Sequence, residues 1–318
     1  MANAPLPIRD GLNPSRVRVP GHRGDPTVTA LELLTAAIYG QRHRHPDDDH
    51  VAIAQRFTDG LVVDSNGKPF SPDSVLKPGR DIWFYRVPAI EPVIAGDMPV
   101  VYSDDNVVVV DKPPFLATTP KGRHITETAV VRLRRQLDNP ELVPAHRLDR
   151  MTSGLLIFTA RKEARAAYQG LFAAHGSVVK RYEALSEVPT ALPETPLQIS
   201  TRQRKVPGEL QAYTIDGEPN AHTIIEKWEL IDGSDGPLCR WFLRPLTGRT
   251  HQLRLHLWEQ GAPILGDQVY PELLPVEAED PNLPLHLVCT EMSYTDPITG
   301  KPISFRSARS VLAPLQLD

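Results

Sequence analysis

Four consecutive valines at positions 107–110 run directly into Asp111-Lys112-Pro113-Pro114. A fully apolar β-branched run reads as a buried strand, and two prolines without amide hydrogens oblige the chain to leave the sheet at its end. Residues 155–159, 181–187, 223–230, 239–246 and 287–294 read as further strands. Helical patterns are fewer. Over residues 125–137, Val130, Val131, Leu133 and Leu137 are interleaved with Arg132, Arg134 and Arg135, which predicts an amphipathic helix with a basic face. Ala164, Tyr168, Leu171 and Phe172 outline a second helix over 162–174, and Gly176 ends it. Strands dominate and helices cluster instead of alternating with them, so the pattern predicts an α+β fold.

The 318 residues include 32 prolines, roughly twice the usual share of about 5%, so long loops are expected. Residues 1–26 are rich in Pro, Gly and Arg with no apolar period and read as a poorly ordered arm. After the capping candidate Thr29, Ala30, Leu31, Leu33, Leu34 and Ile38 recur at helical spacing up to Gly40. The stretch 41–50 holds His43, His45 and His50 among aspartates. It reads as a charged loop, because Pro46 breaks any helix that would align metal ligands. From Phe57 the chain alternates between Asp-Gly, Asn-Gly and Pro-Gly turns. Residues 27–91 therefore read as a small helix-and-hairpin module, and 92–318 as the main domain.

Thirty-five Lys and Arg against 39 acids leave a net charge of −4, which argues against a protein that coats nucleic acid over its whole surface. The charge is segregated. Residues 121–180 hold eleven cations and five acids, whereas 271–280 carry −4. A basic surface of this kind would carry salt-dependent phosphate contacts. Cys239 and Cys289 are too few for a disulfide framework. No apolar run reaches the roughly 18 residues of a membrane span, and residues 1–11 lack a secretory signal. A reduced, cytoplasmic setting without membrane association is expected.

The most informative segment is Ala145-His146-Arg147-Leu148-Asp149-Arg150-Met151-Thr152-Ser153-Gly154, followed by the apolar run from Leu155. It presents an aspartate between arginines in a polar turn before a strand, where a rigid scaffold displays reactive groups. Such an acid can equally pair with Arg147 or Arg150 and cap the turn. A second segment, Arg244-Pro245-Leu246-Thr247-Gly248-Arg249-Thr250-His251-Gln252-Leu253-Arg254-Leu255-His256, makes a strand, a tight turn and a helix start with many donors and no acid.

With these two blocks in place, the chain closely resembles the pseudouridine synthases of the RluA type. Their HRLD and TSGLL-like signature corresponds to His146 through Leu156. Lys180-Arg181-Tyr182-Glu183-Ala184 is similar to their K-x-Y-x-A, and Pro245 to His256 to their P-x-TGR-x-HQ-x-R-x-H element. Gly261 to Asp267 with Tyr270 continues the likeness, which covers roughly residue 92 to the C-terminus. Residues 57–85 faintly resemble a degenerate S4 RNA-binding module.

The resemblance implies a mixed, largely antiparallel sheet with flanking helices. It also implies site-specific isomerisation of uridine to pseudouridine in structured RNA, ribosomal or transfer, on a flipped-out uridine. Asp149 is implied as the catalytic aspartate, Tyr182 as the active-site tyrosine and Arg254 as the arginine that pairs with Asp149. His146, Arg147, Thr152, Lys180, Arg249, Thr250, His251 and Gln252 are the implied substrate-binding set, with turn stabilisation competing for the last four.

The chemistry suits the residues. Breaking the bond from ribose C1′ to N1 and rejoining C1′ to C5 involves no redox change, and a carboxylate attacks only while ionised. A guanidinium binds a carboxylate at two points, and a tyrosine supplies a stacking face and a hydroxyl. No cofactor or metal is expected: His251 and His256 stand five residues apart, off one helical face, with no acid or cysteine beside them. A monomer with RNA as its partner is the expectation. The alternative is a non-catalytic RNA-binding or folding protein on the same scaffold. A glycoside hydrolase would need a second carboxylate, for which Glu183 and Asp267 are the only candidates in these blocks, and Ser153 lacks a nucleophile elbow.

Overall fold

A computed structural model of the protein describes residues 4–313 except His175 and Asp235. It divides into two compact units, Met1–Val93 with Thr119–Pro140, and Ile94–Thr118 with Glu141–Asp318.

The first unit contains β1 (Ser15–Arg18), β2 (Val28–Thr29), α1 (Ala30–Tyr39), α2 (His50–Thr58), β3 (Val75–Leu76), β4 (Asp81–Phe84) and α3 (Ala129–Gln136). Helix α1 begins where the sequence predicts, in a reciprocal capping box. The Glu32 amide donates to Thr29 Oγ1 at 3.1 Å and the Thr29 amide to Glu32 Oε2 at 2.8 Å. Its apolar face, Leu33, Leu34 and Ile38, packs with Ile53, Ile82 and Phe84.

Three expectations are corrected in this unit. Helix α2 starts inside the stretch read as a charged loop. Asp49 caps it by accepting the amides of Val51 and Ala52, and Pro46 lies ahead of the cap, where it breaks nothing. Ser15–Arg18, expected within a poorly ordered arm, is a strand paired with β4, and Arg18 forks onto Asp81 at 2.9 and 3.0 Å. Its partner lies more than sixty residues on, beyond any local signal. Helix α3 belongs to this unit, and its basic face is spent there. Arg134 is buried and donates to the Gly11 carbonyl at 2.9 Å, Arg135 pairs with Asp10, and Arg132 with Glu127.

The second unit carries β5 (Val100–Ser103), β6 (Val107–Lys112), β7 (Val143–Pro144), β8 (Ser153–Thr159), α4 (Arg165–Ala173), β9 (Val178–Glu187), β10 (Leu197–Lys205), β11 (Ala212–Ile215), β12 (Ala221–Gly233), β13 (Gly236–Pro245), α5 (Gln252–Glu259), β14 (Leu287–Thr295) and β15 (Pro302–Arg306). Its eleven-stranded sheet runs in the order β11-β10-β12-β13-β9-β14-β8-β6-β5, with β15 beside β14 and β7 beside β8. Among the described residues only β14 and β8 pair in parallel, so the architecture is α+β with a mixed, largely antiparallel sheet. Strands β6 and β8 are buried along their whole length, the apolar runs 107–110 and 155–158 together with the charged Asp111 and Lys112 that end β6.

The parallel join is made possible by Gly154, at φ +103°. A Cβ there would sit 2.3 Å from the Cys289 carbonyl oxygen. Gly154→Ala is therefore expected to cost about 1–3 kcal/mol from backbone strain alone, and more from prying β14 off β8. Urea denaturation measures the loss. A midpoint equal to wild type would show that the join relaxes freely.

Candidate active site

The loop Arg147–Thr152 between β7 and β8 is pinned from both sides. Thr118 Oγ1 donates to the Leu148 carbonyl at 2.8 Å, and the Leu148 amide points back to it at 3.2 Å. Lys112, fully buried at the end of β6, donates to the carbonyls of Pro113 and Leu116 at 2.8 Å and of Arg150 at 3.2 Å. Burial pushes its ammonium well below a lysine's usual pKa, and those three carbonyls use all three of its donors. Within the loop the Thr152 amide donates to the Asp149 carbonyl at 3.1 Å.

The loop forms one wall of a solvent-open cleft of about 550 Å³, and β9, the turn after β13 and the start of α5 form the rest. The cleft gathers Arg147, Asp149, Thr152, Lys180, Tyr182, Arg249, His251, Gln252 and Arg254 from segments up to about a hundred residues apart. Among the described residues Asp149 is its sole acid. About a third of the Asp149 side chain is exposed (35%), so the carboxylate is reachable from solvent.

Two expected members stay outside. His146 stacks on Phe172 with ring centroids 4.3 Å apart and accepts the Ile157 amide on Nε2 at 3.2 Å. Burial, reinforced by Lys180, lowers its pKa to about 3, so the ring is the neutral acceptor this bond needs. It ties the loop to β8 instead of facing substrate. Thr250 is exposed and does not line the cleft.

Gln252 lines the cleft with no hydrogen-bonding capacity to spare. Its Oε1 accepts from Thr247 Oγ1 at 2.8 Å and the Arg249 amide at 3.0 Å. Its Nε2 donates to the His222 carbonyl and Thr223 Oγ1, both at 2.9 Å. Turn stabilisation therefore accounts for this residue in full. His256 is likewise structural, held between Thr201 and Thr223 at 2.8 and 2.9 Å.

The expected fork between Arg254 and Asp149 is redirected. Arg254 donates from Nε to Asp267 Oδ2 at 2.7 Å and from Nη2 to Oδ1 at 2.5 Å, leaving Nη1 to face Asp149 Oδ2 at 3.9 Å. Asp267 wins the fork because it is buried beneath α5, where an unpaired carboxylate would be costly, whereas Asp149 stays partly hydrated. Burial works against the Arg254 charge, but the Asp267 bonds and charge outweigh it and raise its pKa. In the sequence Asp267 closes a block that matches the family and stands as a possible second acid. Its role needs the fold, which brings it under a helix thirteen residues upstream.

Tyr182 on β9 is 8% exposed, and burial, followed by the influence of Cys289 and Asp149, drives its phenol well above the usual tyrosine range. It is a neutral hydroxyl on an apolar ring. His251 caps α5 in the left-handed region at φ +58°, a strained conformation that costs a non-glycine residue about 1–3 kcal/mol. Its ring meets Tyr270 Oη at 3.2 Å, and burial takes its pKa down to about 4. Lys180 sits 5.9 Å over the Phe172 ring. Among the described residues, Arg147 has no ion pair, and Arg249 reaches only the Asn220 carbonyl, at 3.1 Å.

The model of the RNA pseudouridylate synthase family matches residues 106–259. The chain is 32% identical over 213 residues to the dual-specificity RNA pseudouridine synthase RluA of Escherichia coli K12, covering 65% of this chain and 91% of that protein. The chain belongs to the RluA-type pseudouridine synthase family. It is 28% identical over 233 residues to an uncharacterized RNA pseudouridine synthase of Synechocystis, covering 73% and 77% of the two chains. The solved structure of human RNA pseudouridylate synthase domain containing 1 is similar at a TM-score of 0.55 and 27% identity, over 69% of this chain and 86% of that one. As an RluA-type synthase the protein is an isomerase that converts uridine to pseudouridine in RNA.

Proposed function

We propose that this synthase acts site-specifically on structured RNA, ribosomal or transfer, and that Asp149 is the nucleophile toward a uridine flipped out of its stack. The observation that carries the reading is a carboxylate about one-third exposed on a rigidly pinned loop, the one acid among the described residues of a cleft lined by cations and a neutral buried tyrosine. In this reading the uracil rests against the Tyr182 ring, and the neutral Tyr182 hydroxyl hydrogen-bonds the base. Arg254 Nη1 orients Asp149 while Asp267 orients Arg254. Arg147 and Arg249 hold the phosphates flanking the flipped nucleotide, with Lys180 between them and the base.

A single test separates the target classes. Pseudouridines are mapped across all stable RNAs in cells with and without the protein. Loss of a site in ribosomal or transfer RNA supports the reading, and an unchanged map sinks it.

The cleft cations, and not α3, are assigned to RNA binding. Each lost phosphate contact lowers the slope of log affinity against log salt by about 0.7 to 0.9. Arg147→Ala and Arg249→Ala together are expected to flatten the slope by about twice that amount. Reversing Arg132 and Arg135, already engaged by Glu127 and Asp10, is expected to leave it near wild type. The opposite ranking would return RNA binding to the basic helix.

A further inference from the structure

Asp149 stands between two arginines, Arg147 two residues before it and Arg150 one after, and Arg147 lines the cleft without an ion pair among the described residues. Arg150 is claimed. Its guanidinium forks onto Glu279, with Nη1 donating to Oε1 at 2.9 Å and Nη2 to Oε2. The same guanidinium lies 5.9 Å over the Phe115 ring, and the Arg150 carbonyl accepts from buried Lys112. Glu279 comes from the long connection between Tyr270 and β14, and it is the member of the acidic 271–280 stretch that reaches the catalytic loop. Both side chains are largely shielded, at 24% and 18% exposure, where a two-point charge-assisted pair is strongest.

We propose that Glu279 is a positioning residue that holds Arg150 off Asp149. Released from Glu279, the Arg150 guanidinium, carried by the residue next to Asp149, can turn and pair with its carboxylate. That pairing would occupy the oxygens meant for the substrate and turn the side chain away from the cleft. With Arg150 bound, the one ion pair of Asp149 among the described residues is with Arg254 Nη1 at 3.9 Å, close enough to orient it and too far for a direct hydrogen bond. Arg150 itself does not line the cleft, so holding it aside takes no group from the substrate.

The inference rests on Asp149 being the nucleophile, and the experiment keeps the two ideas apart. Turnover on saturating and limiting RNA is measured for Glu279→Ala, Glu279→Gln, Arg150→Met and the Arg150→Met/Glu279→Ala double variant, with Asp149→Asn alongside and a melting curve for each. Glu279→Ala is expected to lower kcat by about tenfold or more with KM within about twofold, and Arg150→Met to lose no more than about threefold. The double variant is expected to recover to the Arg150→Met level, because without the arginine nothing has to be held aside.

A pair that merely staples the 271–280 connection predicts otherwise: equal losses in the two single variants and no recovery in the double. Either result overturns the proposal, as does wild-type kcat in Glu279→Ala. A raised KM with intact kcat in Arg150→Met would make Arg150 an RNA contact and would also overturn it. Should Glu279→Ala fail to fold, Glu279→Gln keeps the shape without the charge, and its kcat must still fall. Turnover by Asp149→Asn would sink the nucleophile reading itself. An inactive Asp149→Asn beside an undisturbed Glu279→Ala sinks this inference alone.

Discussion

Asp149→Ala and Asp149→Asn are expected to lower pseudouridine formation by at least about 10⁴-fold, the scale seen when a catalytic nucleophile or its partner is removed. Among the described residues Asp149 is the sole carboxylate lining the cleft, which leaves no neighbouring acid there to substitute for it. The loop that carries it is held through backbone groups, by Thr118 and Lys112, and neither bond involves the Asp149 side chain. Fold and RNA affinity should therefore survive, and affinity should rise slightly as a negative charge leaves a phosphate-binding cleft. Single-turnover assays with excess enzyme, paired with RNA binding, measure both. Turnover by the alanine variant above a trace would refute the assignment.

The second large effect is expected at Arg254, and its two substitutions should separate stability from chemistry. Arg254→Leu strands Asp267, whose side chain is 1% exposed, and breaking a buried pair in this way costs about 3–5 kcal/mol. Arg254→Lys keeps a positive charge for Asp267 and so should retain much of that stability. An ammonium cannot also present a second nitrogen toward Asp149, so turnover should still fall by about 10²-fold, the penalty for losing fine orientation of a reacting group. Urea midpoints and kcat for the two variants test the split. A lysine variant with near-normal turnover would show that charge alone suffices and that the geometry of the fork is irrelevant.

Features whose causes are local were legible in the chain. Thr29 and Glu32 stand three residues apart, so their capping box and the start of α1 are written in the sequence. The unbroken apolar runs of β6 and β8 predict strands buried on both faces, because each strand carries that information in its own side chains. The loop with Asp149 and the turn leading to Arg254 were recognisable as blocks, and the fold places both in one cleft.

What only the tertiary structure decided is the choice of partner. Composition marked the arginines of α3 as an RNA-facing surface, yet Arg132 goes to Glu127, Arg134 to Gly11 and Arg135 to Asp10. His146 and Gln252 sit inside the signature blocks, but His146 stacks on Phe172 and accepts the Ile157 amide, while Thr247, the Arg249 amide, the His222 carbonyl and Thr223 take up the amide of Gln252. Arg254 forks onto Asp267 instead of Asp149, and Arg150 is drawn aside by Glu279, 129 residues away. A charged side chain satisfies itself with whichever opposite group the folded backbone brings within about 3 Å at the lowest desolvation cost. Sequence spacing carries the residue types and the local geometry, whereas that three-dimensional competition is settled only when the sheet has assembled.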